Sequence, residues 1–487
     1  MKANFGIYTI ALGLTIITAF FSCRKDGINE DSGFLLRFSA DTMLFDTVFT
    51  TVGSTTRALK IYNDGNNRVS IDRIFLENGQ GSPYRINVDG IPGVLHENVE
   101  IAGNDSLYVF VEVTLDPNGG NLPFVVEDRI VFFTNGNEQS VHLAAWGQDA
   151  YFHVNLDLSA IQALPDGDVW FNDKPHVIYG IALVDSSNTL TIEAGAEIYV
   201  HGKSGIWVRK GTLIVNGQQG NEVVFRGDRL EPFYLDQPGQ WGIQVFGITL
   251  GGLWLTESRD SRINYAILEN GLVGIQVDSL YEAGTPALRI SNTIVRNMSA
   301  IGLYANAGAY ITGHNNLIAN CGQACGAFLN GGRYEIDYTT FANYWTSGNR
   351  QSACFVLRNY YEDAFGTIQI RPVEETLFRN CIFYGGNADL NDFDEFVVDM
   401  REEESQDYRF EYSLADTDSD INNGLRYLNM KNQQDPRFES PYSGDFHLRS
   451  NSPAVDAGVP QGTVFSDLDG NFRPVGLAPD MGCYERQ

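Results

Sequence analysis

Four short segments constrain what this chain can fold into. "INYAILENG", "ISNTIVRNM", "HNNLIANCG" and "IDYTTFANY" carry matching asparagines at Asn270, Asn297, Asn320 and Asn343, at intervals of 27, 23 and 23 residues. "LFRNCIFYGG" returns after an insertion. A period in this range marks a solenoid, whose units bury their apolar faces only against their neighbours. A leucine-rich repeat is excluded, because no unit carries an L-x-x-L-x-L frame. The apolar residues are Ile, Val, Leu and Phe in short runs broken by Asn and Gly. That grammar predicts a β-helix, with three short strands per coil, tight turns, and like residues stacked above like. The repeated Asn residues are therefore read as turn-capping ladders and not as catalytic groups.

Upstream, from 34 to 150, the pattern alternates with a period of two. "RALKIYNDGNNRVSIDRIFLE" places Leu59 and Ile61 before "NDGNN", and Val69, Ile71 and Ile74 after it, which predicts a hairpin. Several such strands predict a β-sandwich. The order "IYNDGN", "VEVTLDP", "FTNGN" and "LAAWGQD" resembles the abnormal-spindle/hydin type of immunoglobulin-like domain. The resemblance implies a spacer or a protein-binding module.

The N-terminus reads as a targeting segment. "MK" precedes "IYTIALGLTIITAFF" and then "SCRKD". The apolar run is short of the roughly 20 residues a spanning helix needs. It resembles a bacterial lipoprotein signal over 1–22, which implies lipidation at Cys23 and a polar tether over 23–33. The expected location is the outer membrane, on its periplasmic or cell-surface side, held by the lipid anchor. Five further cysteines remain: Cys321, Cys325, Cys354, Cys381 and Cys483. They lack zinc spacing and are read as small buried hydrophobes, with one disulfide left open. The formal charge of -28 excludes nucleic acid as a partner.

"LTIEAGAEIYVHGKSGIWVRKGTLIVNG", "QWGIQVFG" and "INYAILENGLVGIQVD" resemble right-handed parallel β-helix proteins of bacterial surfaces, which share the pectate-lyase-like fold. The resemblance spans most of 165–487. "NSPAVDAG", "DLDGNFRP" and "PDMGCYE" resemble a C-terminal signature of such proteins. The whole arrangement resembles surface lipoproteins of the Bacteroidetes type. The expected chain is all-β: an immunoglobulin-like β-sandwich over 34–150, then a right-handed parallel β-helix over 151–487. Insertions are expected at 344–375 and 386–423, and a C-terminal cap at 450–487.

Elimination chemistry on a uronate polymer needs a Lys or Arg base and a cation on the sugar carboxylate. Lys203, Arg209, Lys210, Arg296, Arg333 and Arg379 are the basic candidates, with His201 close by. No Asp cluster accompanies them, and residues 283–334 contain no Asp or Glu. Glycoside hydrolysis needs paired carboxylates. "TGHNN" has Gly313 and His314 but Asn315 where a Gly-His-Gly element needs glycine, so that assignment fails and His314 reads as a turn residue. No phosphate loop or nucleophile motif occurs, and no cofactor is implied. "SDLDGNFRP" fails as a calcium loop, since Gly470 is fourth from Asp467 and Ala478 stands twelfth. It is read as a turn in which Asp467, Asp469, Arg473 and Asp480 close the last coil, with no metal. Aromatic residues are plentiful. Trp207, Trp241, Tyr344, Trp345, Tyr360 and Tyr361 are the candidate ligand-binding residues. The expected function is non-catalytic binding of a glycan or another extracellular partner, such as an envelope protein. The alternatives are a polysaccharide lyase-like enzyme and a purely structural or adhesive surface protein.

Overall fold

The computed structural model describes residues 27–49, 56–115, 124–157, 160–230, 233–279, 282, 284–386, 394–402 and 406–487. The proposed signal segment and Cys23 lie outside them. The chain forms two units, Met1–Asp149 and Ala150–Gln487.

The first unit is a sandwich of two five-stranded sheets. One orders Arg37–Phe38, Arg57–Asn63, Asp105–Val113, Tyr84–Val88 and Ile91–Gly93; the other orders Thr42–Phe49, Asn137–Gln148, Phe124–Thr134, Val69–Leu76 and Leu95–Ile101. Pairing is antiparallel except between Thr42–Phe49 and Asn137–Gln148, which run parallel. Inward residues such as Leu59, Ile61, Val69, Ile71, Val109 and Val111 are fully buried between the sheets. "TNGN" is a two-residue hairpin: Asn135 and Gly136 both take positive φ, and Thr134 pairs Asn137. "NDGNN" is not. Arg57–Asn63 and Val69–Leu76 lie in different sheets, so this segment crosses the sandwich. The buried Asn63 directs the crossing by donating to Asn67 O, Ile101 O and Ala102 O at 2.9 to 3.0 Å. A composition suited to a hairpin turn thus serves a corner between layers.

The second unit is a right-handed parallel β-helix. Each coil runs through three sheets, here A, B and C. In the coil that begins at Leu288, these are Leu288–Ser291, Ile294–Arg296 and Leu303–Asn306. The parallel register stacks like on like. On the inside of sheet B it aligns Ile198, Phe225, Leu268, Val295, Ile318, Phe341, Phe383 and Ala415. Toward the C-terminal coils the stacks become aromatic, as where Phe378 lies flat on Phe410 at 5.0 Å. Cys321, Cys325, Cys354, Cys381 and Cys483 are buried free thiols. Burial raises the thiols of Cys325 and Cys354 well above the ordinary range, which leaves them unreactive.

The three corners differ. Asn270, Asn297 and Asn320 turn the B-to-C corner in the left-handed region, and Asn297 Nδ2 donates to Asn270 Oδ1 at 2.6 Å. Asn343 departs from this pattern. It ends a strand, fully buried, and closes the turn at Cys321 by accepting from its N–H and donating to its carbonyl. Two more ladders run up the molecule. Asn264, Asn292 and Asn315 link at the A-to-B corner. Asp278, Asn306 and Asn330 link at the C-to-A corner. His314 is the last residue of the strand Tyr310–His314 and not a turn residue.

Both expected insertions contain the repeat's continuation. Phe355–Arg358 is a sheet C strand inside 344–375. The acidic segment 386–423 carries Phe396–Asp399, Gln406–Glu411 and Leu414–Ala415, one strand for each sheet.

The C-terminal segment does not sit on the last coil. It runs back along the A-to-B corner and the outer face of sheet B. Ser466 O accepts from Asn315 Nδ2, Val459 O from Tyr338 and Asn380, and Cys483 N–H donates to Thr340 Oγ1. Gln219 donates to Asp469 O from a coil nearer the N-terminus. Phe438, Phe446, Leu448, Leu468, Met481 and Cys483 cover Leu317, Ala319, Ala342, Ile382 and Leu414. The segment is a strap. The outer face of sheet B at these coils is apolar, and burying it outweighs extending the coil.

Within the strap, Asp467 is fully buried and accepts from Asn471 N–H, Asn471 Nδ2 and Glu485 N–H. Arg473 donates to Asp480 O and Gly482 O and lies 4.1 Å over Tyr338. Asp480 accepts from Asp456 N–H and Arg486 N–H.

Candidate functional site

With the later coils of sheet B covered by the strap, sheets A and C present their outer faces. Sheet A is a polar ladder of ion pairs: Arg262 and Arg289 share Asp260, Arg333 meets Glu335 and Glu375, and Arg379 meets Asp337. Sheet C differs in both chemistry and surroundings.

From Asn264 onward the A-to-B corner takes one or two residues per coil. The long loops leave instead from the two edges of sheet C. Among the described residues, 228–230, 233–250, 344–354, 386 and 394–395 lie on its B-to-C edge, and 279, 282, 284–287, 359–372 and 400–402 on its C-to-A edge. Sheet C is thus the floor of a trough. The rims carry bare aromatic residues. Phe246 tips the hairpin of Gln244–Val245 and Ile248–Thr249 and is 95% exposed. Phe365 tips the hairpin of Tyr360–Glu362 and Ile368–Ile370 on the opposite edge and is 93% exposed.

The register sets Leu183, Trp207, Trp254, Gln276 and Tyr304 in one outward row of the floor. Asp185, Arg209, Thr256, Asp278 and Asn306 form the row beside it. Trp207 and Trp254 are part-buried and stack at 4.6 Å and 14°. Their Nε1 atoms donate to Thr256 Oγ1 at 2.9 Å and to Asp278 Oδ2 at 2.7 Å. Val245 of the rim hairpin and Leu250 beyond it pack, like the two indoles, against Ile181, Leu183 and Ile243. Gln276 is pinned down: its Oε1 accepts from Gly251 N–H, and its Nε2 donates to Asp278 Oδ2. Gly251 is needed here, because a Cβ would press into the Gln276 side chain. Burial, then the nearby Asp278 carboxylate, raises the Tyr304 phenol above its ordinary pKa, so it stays protonated.

The six residues singled out by sequence do not form one site. Trp207 is on the floor. Trp241 is wholly buried, with Nε1 donating to Glu269 O; it fills the space left by Gly252, where any Cβ would collide with the indole. Tyr344 is buried beneath the strap against Phe438 and Phe446, at the edge of a cavity of about 440 Å³ that Asp435, Tyr442 and Arg449 also line. Trp345 packs over Gly322 at the B-to-C corner. Tyr360 donates to Asp399 Oδ2 at 2.6 Å beneath the Arg401 guanidinium, and Tyr361 is 36% exposed on the rim hairpin. Trp254, Gln276, Asp278 and Tyr304 complete the floor and are not among those six. The signal was present: Trp207 and Trp254 belong to equivalent strands, "GIWVR" and "GLWLT".

The basic candidates are engaged elsewhere. Arg209 pairs with Asp185, Lys210 with Glu257, His201 with Asp228 and Arg296 with Glu269. Lys203 lies on an exposed turn at positive φ. No cluster of three metal-ligating side chains occurs among the described residues.

Fold and site together define an all-β protein of two units, a sandwich and a parallel β-helix with a walled outer face. No protein-family model and no curated protein matches the chain. Solved structures similar to it include the PapD-like domain 7 of human CEP192, at 10% identity and TM-score 0.17, covering 26% of this chain and 92% of that one. Pectate lyase Pel9A is similar at 11% identity and TM-score 0.28, covering 69% and 96%. The catalytic unit of the GH87 alpha-1,3-glucanase of Streptomyces thermodiastaticus is similar at 9% identity and TM-score 0.29, covering 74% and 72%. The chain spans 55% of the E. coli chaperone DraB, which it also resembles. At TM-scores of 0.17 to 0.29 these likenesses carry no argument.

Proposed function

We propose that this protein is a non-catalytic cell-envelope lipoprotein that binds a glycan in the trough over sheet C. The observation that carries the reading is the placement of the long loops on the two edges of one sheet, around a floor that presents the part-buried rings of Trp207, Trp254 and Tyr304. Solenoids bind on the face their insertions surround. Aromatic rings give sugars apolar area, while fixed polar groups beside them set orientation. The engagement of Arg209, Lys210, Arg296, Arg333 and Arg379 in ion pairs weighs against elimination chemistry, since each would have to leave its carboxylate to serve as a base.

The test is a titration with neutral hexasaccharides and with hexagalacturonate, followed by tryptophan fluorescence. Trp254→Ala is expected to weaken binding about tenfold or more, as loss of a central aromatic anchor does. Trp146→Ala, on the exposed surface of the first unit, is expected to leave it unchanged. Equal affinity in wild type and Trp254→Ala contradicts the reading. An unsaturated, ultraviolet-absorbing product from hexagalacturonate would replace it with the lyase.

A further inference from the structure

The floor contains a notch with a chemical preference. Trp254 and Tyr304 stand two rungs apart in the same row, about 9.6 Å at ordinary strand spacing. Trp207 stacks on one face of Trp254, so the other face is turned toward Gln276 and Tyr304. Gln276 lies between them but does not stand up into the gap. Its amide is tied to Gly251 N–H and to Asp278, and the residue is only 4% exposed.

Asp278 sits beside this notch. Its Oδ2 accepts from Trp254 Nε1 and Gln276 Nε2, and its Oδ1 accepts from Asn306 Nδ2 at 3.2 Å. A carboxylate offers about four acceptor positions, so one on Oδ1 remains. The other carboxylates of the sheet C face are neutralised: Asp185 by Arg209, Asp399 by Arg358, and Glu257 at the corner by Lys210. Among the described residues, Asp278 makes no ion pair, so its charge remains uncompensated.

We infer that the notch between Trp254 and Tyr304 takes one ring of a neutral, hydroxyl-rich glycan, with Asp278 accepting a ligand hydroxyl, and that it excludes uronic acids. This rests on the trough reading and narrows it. A neutral sugar supplies the donor that Oδ1 lacks and an apolar ring face for Trp254. A uronate would bring a second negative charge against Asp278, which pairs with no cation among the described residues.

The experiment is calorimetric titration of the full chain with gluco-, manno- and xylohexaose and with hexagalacturonate, repeated for Asp278→Asn, Trp254→Ala and, as control, Trp146→Ala. Melting curves confirm that each variant is folded. The inference predicts that at least one neutral hexasaccharide binds about tenfold or more tighter than hexagalacturonate. Asp278→Asn should narrow the gap to about threefold or less, and Trp146→Ala, on the exposed surface of the first unit, should preserve it. Raising sodium chloride from about 0.1 M to about 0.5 M should also narrow it, through screening. If hexagalacturonate binds wild type as tightly as the neutral sugars and Trp254→Ala abolishes that binding, the trough stands and the inference falls. A neutral preference unchanged in Asp278→Asn removes Asp278 from the account. If no hexasaccharide binds, both fall together.

Discussion

His447 shows how much a single side chain holds together. Its Nδ1 meets Asp445 at 2.7 Å, its Nε2 meets Asp469 at 2.8 Å, and its ring lies on Tyr484 at 4.0 Å. The hydrogen bond to Asp469, with further help from Asp445, raises its pKa to about 9 against burial. The folded value lies above the ordinary one near 6.5. The stabilisation is therefore complete below about pH 6.5 and is lost as pH rises through about 9. Melting temperature should fall between these values in wild type, and His447→Gln should flatten that part of the profile. An unchanged slope in His447→Gln would remove the His447 contacts from the account. The sequence does not announce this residue, because its partners stand two and 22 positions away across a turn that no spacing rule connects.

At the scale of the element, the strap is what holds the second unit's flank. Leu468 is 7% exposed within the cluster that covers sheet B. Leu468→Ala is expected to cost about 2 to 4 kcal/mol in chemical denaturation, as burial of a large aliphatic residue predicts. A cost near zero would mean the strap is only laid on the surface. Chelation makes the complementary test. Asp467 already accepts from Asn471 and Glu485, so a chelator should leave the melting temperature unchanged, and a large drop would restore a calcium site at "SDLDGNFRP". That stretch is legible as a turn, since Asp-Gly-Asn dictates one. Its destination is not. Its partners Asn315 and Gln219 lie 151 and 250 residues from the atoms they hold, and nothing local encodes such a return.

At the scale of the molecule, the β-helix is legible because stacking writes itself into the sequence as repeated Asn and aliphatic positions. Where loops interrupt the period, the reading fails: "CFVLR" inside 344–375 holds a sheet C strand whose Phe355 and Leu357 face the core. The trough is illegible for a related reason. Trp207 and Trp254 are 47 residues apart in sequence, yet neighbours across one rung, because a long connection follows Gly227 before the next sheet C strand begins at Gly251. Only the register brings Trp254, Asp278 and Tyr304 to one floor. Hydrogen exchange on the full chain, with and without the tightest-binding neutral hexasaccharide, tests the central claim most directly. Binding should slow exchange in 251–256, 273–278 and 303–306 and in the rim hairpin of 244–249, with sheet A unaffected. Protection confined to sheet A or to residues 27–149, with sheet C unchanged, would contradict a glycan-binding trough.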